Sequence, residues 1–166
     1  MKSGFIKSGE SMENSLHNVE LYTAINEIFN DKMPFNKVLG LKVKSIDFKR
    51  VELEFRMRDD LIGNYIRKTL HGGVISSVID VTGGLAAFMG ITEKRAAETL
   101  ETKLASLENL GTIDLRVDYL RPGAGRIFTS SGITLRTGNK VAVTRIELHN
   151  DQANLIAVGT GSYMVA

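Results

Sequence analysis

Apolar positions recur along the chain with two different periods, and the changes of period divide it into elements. Over residues 20–30, ELYTAINEIFN, Leu21, Ile25, Ile28 and Phe29 fall at helical spacing and predict an amphipathic helix that Pro34 stops. GLKVKSIDF and RVELEFRM alternate apolar and polar residues, which predicts two half-buried strands joined tightly near Lys49 and Arg50 as a hairpin. Residues 72–91, GGVISSVIDVTGGLAAFMGI, are apolar nearly all round, and a helix of that kind has to be covered on all sides. TEKRAAETLETKLASLENL follows as a strongly helix-forming, amphipathic segment ending at Gly111. The period then falls to two. TIDLRVDYLRP places Ile113, Leu115, Val117 and Tyr119 on one face, and RIFTSSGITLRTGN, KVAVTRIELHND and ANLIAVGTGSYMVA follow as long strands with turns at TGNK and NDQA.

Strands joined by turns this short are antiparallel, and the one element needing cover on every side is the helix over 72–91. The expected fold is therefore α+β: a curved antiparallel sheet of about six strands wrapped around a long central helix, the hotdog architecture. An N-terminal helix and an accessory helix complete it. No internal repeat or Pro/Gly-rich linker divides the chain, so residues 19–166 are expected as one domain behind a flexible polar leader over 1–18.

Composition narrows the function classes. A chain of 166 residues with 43% hydrophobic and 24% charged content is an ordinary globular one. It has no cysteine, which excludes disulfides, thiolate metal sites and a Cys nucleophile, and no metal or cofactor is expected. A net charge of +2, without a basic patch interleaved with aromatics, argues against nucleic acid. Residues 72–91 are the sole candidate membrane span, and their glycines, serines and Asp80 argue against one. The N-terminus has no continuous apolar core to serve as a signal peptide, so the cytoplasm is the default location.

Asp80 is then the anomaly, a single carboxylate within the most apolar part of the chain. A structural acid, paired with a buried cation or capping a neighbouring N–H, would explain it as well as a catalytic one. His71, Gly72 and Gly73 stand where the helix should begin. Free backbone N–H groups at a helix N-terminus suit a developing negative oxygen, and glycine lets a ligand approach the backbone; a tight turn with close packing would use the same residues.

LHGGVISSVIDVTGGLAA followed by GTIDLRVDYLRPG resembles the HGG-x6-D and strand signatures of the hotdog acyl-CoA thioesterases of the phenylacetate-pathway type, within them a bacterial branch associated with medium- and long-chain acyl-CoA. The resemblance runs from about Phe35 to the C-terminus. It implies hydrolysis of an acyl-CoA thioester, with Asp80 as general base or nucleophile, Gly72 in the oxyanion site beside Gly73, and His71 as a positioning residue. The family also places an Asn upstream of the His and a Ser or Thr on the following strand near the acid. Thr112 falls at the strand position. Asn64 is the upstream Asn in GNYIRKTLHGG but stands one residue further from His71 than the pattern has it; a one-residue bulge would restore it, or Tyr65 would replace it. The segment between Asp80 and Thr112 is longer than in compact relatives, and its helix would either cap the acyl pocket or lie solvated on the surface. Arg121, Arg126, Arg136 and Lys140 are candidates for the phosphates of coenzyme A, or ordinary strand-end charges.

Gly72 and Asp80 are separated by about 12 Å along one helix, too far to serve one carbonyl together. A two-fold homodimer with antiparallel central helices brings the helix start of one subunit to the acid of the other, giving two sites at the interface; pairing of dimers into tetramers stays open. A hotdog dehydratase would need a His–acid pairing at a different spacing. A non-catalytic acyl-CoA binding module is the alternative of another class, and an assembly protein without ligand would leave Asp80 unexplained.

Overall fold

In the computed structural model the described residues are 8–166, with side chains described from residue 18 onward; residues 1–7 of the expected leader lie outside them. The chain runs α1 (Ser8–Glu27), a π-helical turn (Ile28–Lys32), α2 (Pro34–Leu39), β1 (Lys42–Ile46) and β2 (Val51–Arg56). After a 3-10 turn (Asp59–Leu61) come β3 (Ile62–Asn64), β4 (Thr69–Leu70), the central helix α3 (Gly72–Lys94), α4 (Leu100–Ala105) and a 3-10 turn (Ser106–Asn109). Four long strands close the chain: β5 (Gly111–Tyr119), β6 (Ile127–Thr137), β7 (Val141–Asn150) and β8 (Leu155–Met164).

The first helix buries Leu21 and Ile25, and the π turn carries that face on to Phe29. Met33 N–H donates to the Ile28 carbonyl at 3.0 Å, the bond that closes the turn. Pro34 does more than stop the helix before it. At the first turn of α2 its missing N–H leaves no bond unmade, so it also starts a second short helix, which Gly40 ends at φ 67°. The β1–β2 hairpin turns where expected, with Asp47 Oδ1 accepting the N–H groups of Lys49 and Arg50 at 2.7 and 2.8 Å.

The amphipathic segment after the central helix is not one helix. Residues 92–94 complete α3, the backbone leaves helical geometry at Arg95, and Thr99 Oγ1 accepts the Thr102 N–H to start α4 afresh. Thr99 gains there a cap that a continuous helix would deny it. Leu100, Leu104, Leu107 and Leu110 pack against the core while Glu101 and Glu108 stay in water, so the segment is neither buried nor free on the surface.

The sheet has six strands in the order β1-β2-β6-β7-β8-β5, every neighbouring pair antiparallel. Strands β3 and β4 form a separate two-stranded ribbon, each too short to show an alternation in sequence. Helix α3 lies across β6, β7 and β8. The sheet gives up side chains to bring it close: a Cβ on Gly159 would sit 2.3 Å from Ile79 Cγ2, and one on Gly132 would sit 3.1 Å from Thr82. By length and composition α3 could cross a membrane, yet 72% of its most apolar window is buried in the fold, as for a core helix. Cover on all sides holds only for its second half. Residues 82–92 are all buried, whereas Ser76, Ser77, Asp80 and Val81 are half-buried and open to one side.

Candidate active site

Asp80 lies at the boundary between the open and the covered halves of α3. Thr112 Oγ1 donates to its Oδ1 at 2.8 Å, and the Tyr163 hydroxyl lies 3.3 Å from the same oxygen and 3.1 Å from the Asp80 carbonyl. Oδ2 accepts no hydrogen bond among the described residues. One carboxylate oxygen is thus anchored and the other is available. No cation pairs with Asp80 among the described residues.

The hydroxyl of Thr112 reaches Asp80 because of a bulge. Thr112 pairs with Tyr163 and Asp114 with Ser162, so Ile113 is an extra residue in β5. Regular alternation would put Thr112 on the face opposite Leu115 and Val117; the extra residue resets the parity and turns Thr112 inward beside Tyr163. The same bulge leaves Ile113 58% exposed, against the expectation of one inward row from Ile113 to Tyr119.

Tyr163 was not among the residues singled out from the sequence, yet it organises the centre of the site. It is 1% exposed. Burial, and then the charge and hydrogen bond of Asp80, push its hydroxyl far up from the ordinary value of 10.0, so it stays a protonated donor into the alkaline range. Gly83 makes room for it, since a Cβ there would fall 2.2 Å from the hydroxyl oxygen. A glycine inside a helix is destabilising by roughly 0.5–1 kcal/mol relative to alanine, and that cost was the available signal for a close contact.

Asp80 opens into an apolar cleft of about 140 Å³. Val81, Gly84 and Leu85 of α3 form one wall, Leu110 to Thr112 another, and Phe29 and Met33 from the π turn a third.

At the other end, His71 caps α3: its Nδ1 accepts the Gly73 N–H at 2.9 Å, and its carbonyl accepts from Val74 and Ile75. That leaves Gly72 N–H without a partner among the described residues, and Gly73 already engaged. His71 is held in turn, since its N–H donates to Leu61 O at 2.9 Å and its backbone packs so closely on Gly63 that a Cβ there would approach to 2.5 Å. The Tyr119 hydroxyl donates to the Gly72 carbonyl at 3.2 Å. His71 is a positioning residue in this arrangement.

Asn64 lies in the β3–β4 turn, where its Oδ1 accepts from Ile66 and Arg67 at 3.1 and 3.0 Å. The ribbon does contain a register shift, at Gly63. It precedes Asn64 and so leaves the spacing to His71 unchanged. Tyr65 is 77% exposed. Neither residue lines the Asp80 cleft.

The four candidate cations do not converge. Arg121 and Arg126 flank the loop that meets Leu70 through Gly123, near the Gly72 end of α3. Arg121 donates to Leu155 O at 2.9 Å, and Arg126 is loosely paired with Asp151 at 3.6 Å. Arg136 and Lys140 lie in the β6–β7 hairpin, whose Asn139 receives a bond from Lys94 at the far end of the helix.

Comparison with known proteins agrees with this fold. Residues 67–157 match the thioesterase superfamily. The medium/long-chain acyl-CoA thioesterase YigI of Escherichia coli (strain K12) is 45% identical over 142 residues, covering 85% of this chain and 91% of that protein. The crystal structure of a Shewanella oneidensis protein related to the thioesterase superfamily has a TM-score of 0.85 at 49% identity, over 89% of this chain and 97% of that one. A variant of the phenylacetic acid degradation protein PaaI from Thermus thermophilus shares the fold, with a TM-score of 0.63 at 23% identity over 81% of this chain and 100% of that one.

Proposed function

This chain belongs to the thioesterase superfamily and is a thioester hydrolase, and we propose that it splits medium- and long-chain acyl-CoA esters into free acid and coenzyme A. The observation that carries the reading is a carboxylate with one oxygen anchored by two hydroxyls and the other available at the mouth of an apolar cleft. Water held at Oδ2 loses a proton to Asp80 as its oxygen attacks the thioester carbonyl. The negative charge that develops on the carbonyl oxygen is met by a backbone N–H at a helix start, and the C–S bond then breaks with the proton returned to sulfur.

That helix start belongs to a second subunit. Gly72 N–H and Asp80 of one chain are about 12 Å apart along α3, so neither can assist the other on one carbonyl. Two features support an antiparallel pairing of two chains. Strand β5 is one of the two edge strands of the sheet, and it presents Ile113 beside Thr112 and Tyr119 beside Gly72, 58% and 53% exposed. Each dimer then has two sites, each with Gly72 from one chain and Asp80 and Thr112 from the other. Arg121 and Arg126, on the Gly72 side, are the favoured candidates for the phosphates of coenzyme A, since Arg136 and Lys140 lie at the opposite end of the helix from Gly72.

Free-thiol release from acyl-CoA esters graded from acetyl to palmitoyl tests the reading. Turnover is expected, better on medium and long chains than on acetyl-CoA. Tight binding without turnover at any length would instead identify an acyl-CoA binding module.

A further inference from the structure

Two adjacent glycines interrupt the covered half of α3, and their surroundings differ. Gly83 is explained by packing, as the collision with Tyr163 described above shows. Gly84 is not. A Cβ there would meet Tyr163 Cε1 at 3.7 Å, Leu110 Cδ2 at 3.8 Å and Tyr163 Cδ1 at 3.9 Å, all ordinary contacts. Alanine is the better helix former, so nothing in the fold asks for glycine at this position. It stands four residues after Asp80, on the same face of the helix, and it lines the cleft into which Asp80 opens. The far wall is also held in place. Asn36, 2% exposed, donates through Nδ2 to the Phe29 carbonyl at 2.9 Å and to Met33 Sδ at 3.4 Å, fixing the two residues that the π turn brings to the cleft.

We propose that three residues of this cleft set the acyl chain length accepted: Gly84 is kept small so that a long chain can run past Asp80 along α3, and Phe29 and Met33 form the end wall that sets the longest chain. The inference rests on the thioesterase reading and adds what selects the substrate. Its chemistry is that of an unbranched, uncharged acyl chain. The walls offer Val81, Leu85, Leu110, Phe29 and Met33, and the one carboxylate is at the entrance.

The test compares kcat/KM on a long and a short acyl-CoA ester for the wild type, Gly84→Ala, Gly84→Leu and Met33→Ala. Displacing about one methylene should lower the long-to-short ratio about fourfold in Gly84→Ala, and Gly84→Leu should lower it on the order of tenfold or more, through KM more than kcat. Met33→Ala should move the optimum to longer chains. Thermal unfolding confirms that each variant folds, and Gly84→Ala provides the conservative case if Gly84→Leu does not. Equal falls at every length, or an unchanged ratio in folded Gly84→Ala and Met33→Ala, overturn the subsite. If the wild type hydrolyses no ester, the thioesterase reading fails separately, and the subsite is judged by displacement of a fluorescent fatty-acyl-CoA. Affinity that rises with chain length in the wild type and flattens in Gly84→Ala supports it, and affinity indifferent to length in both refutes it.

Discussion

Replacing Asp80 with Asn separates the chemistry of the site from its architecture. Asparagine keeps an Oδ1 that can accept from Thr112 and Tyr163, now at 2.8 and 3.3 Å from the carboxylate oxygen. Each bond changes from charge-assisted to neutral, a loss of about 1 kcal/mol apiece, and the smaller desolvation cost of an amide offsets part of it. Stability should therefore fall by no more than about 2 kcal/mol, a shift of roughly 4–8 °C in Tm for a chain of this size. Turnover should fall far more. Loss of a general base costs about 10²–10⁴-fold, or roughly 3–5 kcal/mol of barrier, with KM little changed. Thiol release and thermal unfolding on the same preparation measure both quantities. A folded Asp80→Asn enzyme with near-normal turnover would show that the acid is structural. The same variant tests the shared site when mixed with Gly72→Val, whose new Cβ would meet the Tyr119 ring at an ordinary 3.5 Å while its side chain obstructs the oxyanion position. In a mixed dimer both defects fall in one site and the other is intact, so random exchange at equal concentrations should restore about a quarter of the wild-type activity. Mixed dimers that form, as shown by tagged co-purification, but stay at the parental background would place the whole site within one chain.

Two further outcomes probe the frame around the acid. Gly83→Ala brings a methyl to 2.2 Å from the Tyr163 hydroxyl, so it should destabilise the fold by about 1–3 kcal/mol in urea titration, and adding Tyr163→Phe should recover part of that loss. Because burial and Asp80 hold the Tyr163 proton in the fold well above its ordinary 10.0, the contribution is fully present below pH 10.0 and is lost as pH rises further; Tm should decline through that alkaline range, and Tyr163→Phe should flatten the decline.

The elements were legible where periodicity is long. The central helix begins at Gly72 as expected, and the four strands after it fall within a few residues of their predicted spans. Short or compound elements were hidden: the β3–β4 ribbon, the second helix begun by Pro34, and the break at Thr99 each depend on a cap or a pairing that a window of apolar residues does not register. The acid and the helix start were readable because both lie on one continuous motif. Of the acid's partners, Thr112 was readable only through the family resemblance and Tyr163 not at all, since they reach Asp80 across 32 and 83 residues of chain. Only the paired glycines of VTGG, expensive in a helix, carried a local trace of the Tyr163 contact, and only one of the two is explained by it.

Two departures from the periodic reading of the apolar residues fall on β5 and on the open side of α3. Ile113 and Tyr119, expected in an inward row, stand exposed on the edge strand β5, and the helix expected to be covered all round is open at Ser76, Ser77, Asp80 and Val81. An alternating strand carries apolar residues where something covers them, and an apolar helix face left open costs roughly 25 cal/mol for each Å² in water. Of these apolar residues, Val81 and Ile113 lie beside the open carboxylate and its Thr112 partner, and Tyr119 lies beside Gly72. If two chains pair as proposed, periodicity reports burial in the pair, whereas the fold of one chain reports only the part that chain can bury. The discrepancy between them falls on the edge that the separation of Gly72 from Asp80 selects on chemical grounds, and this agreement of two independent arguments is the support for a site completed by a second copy.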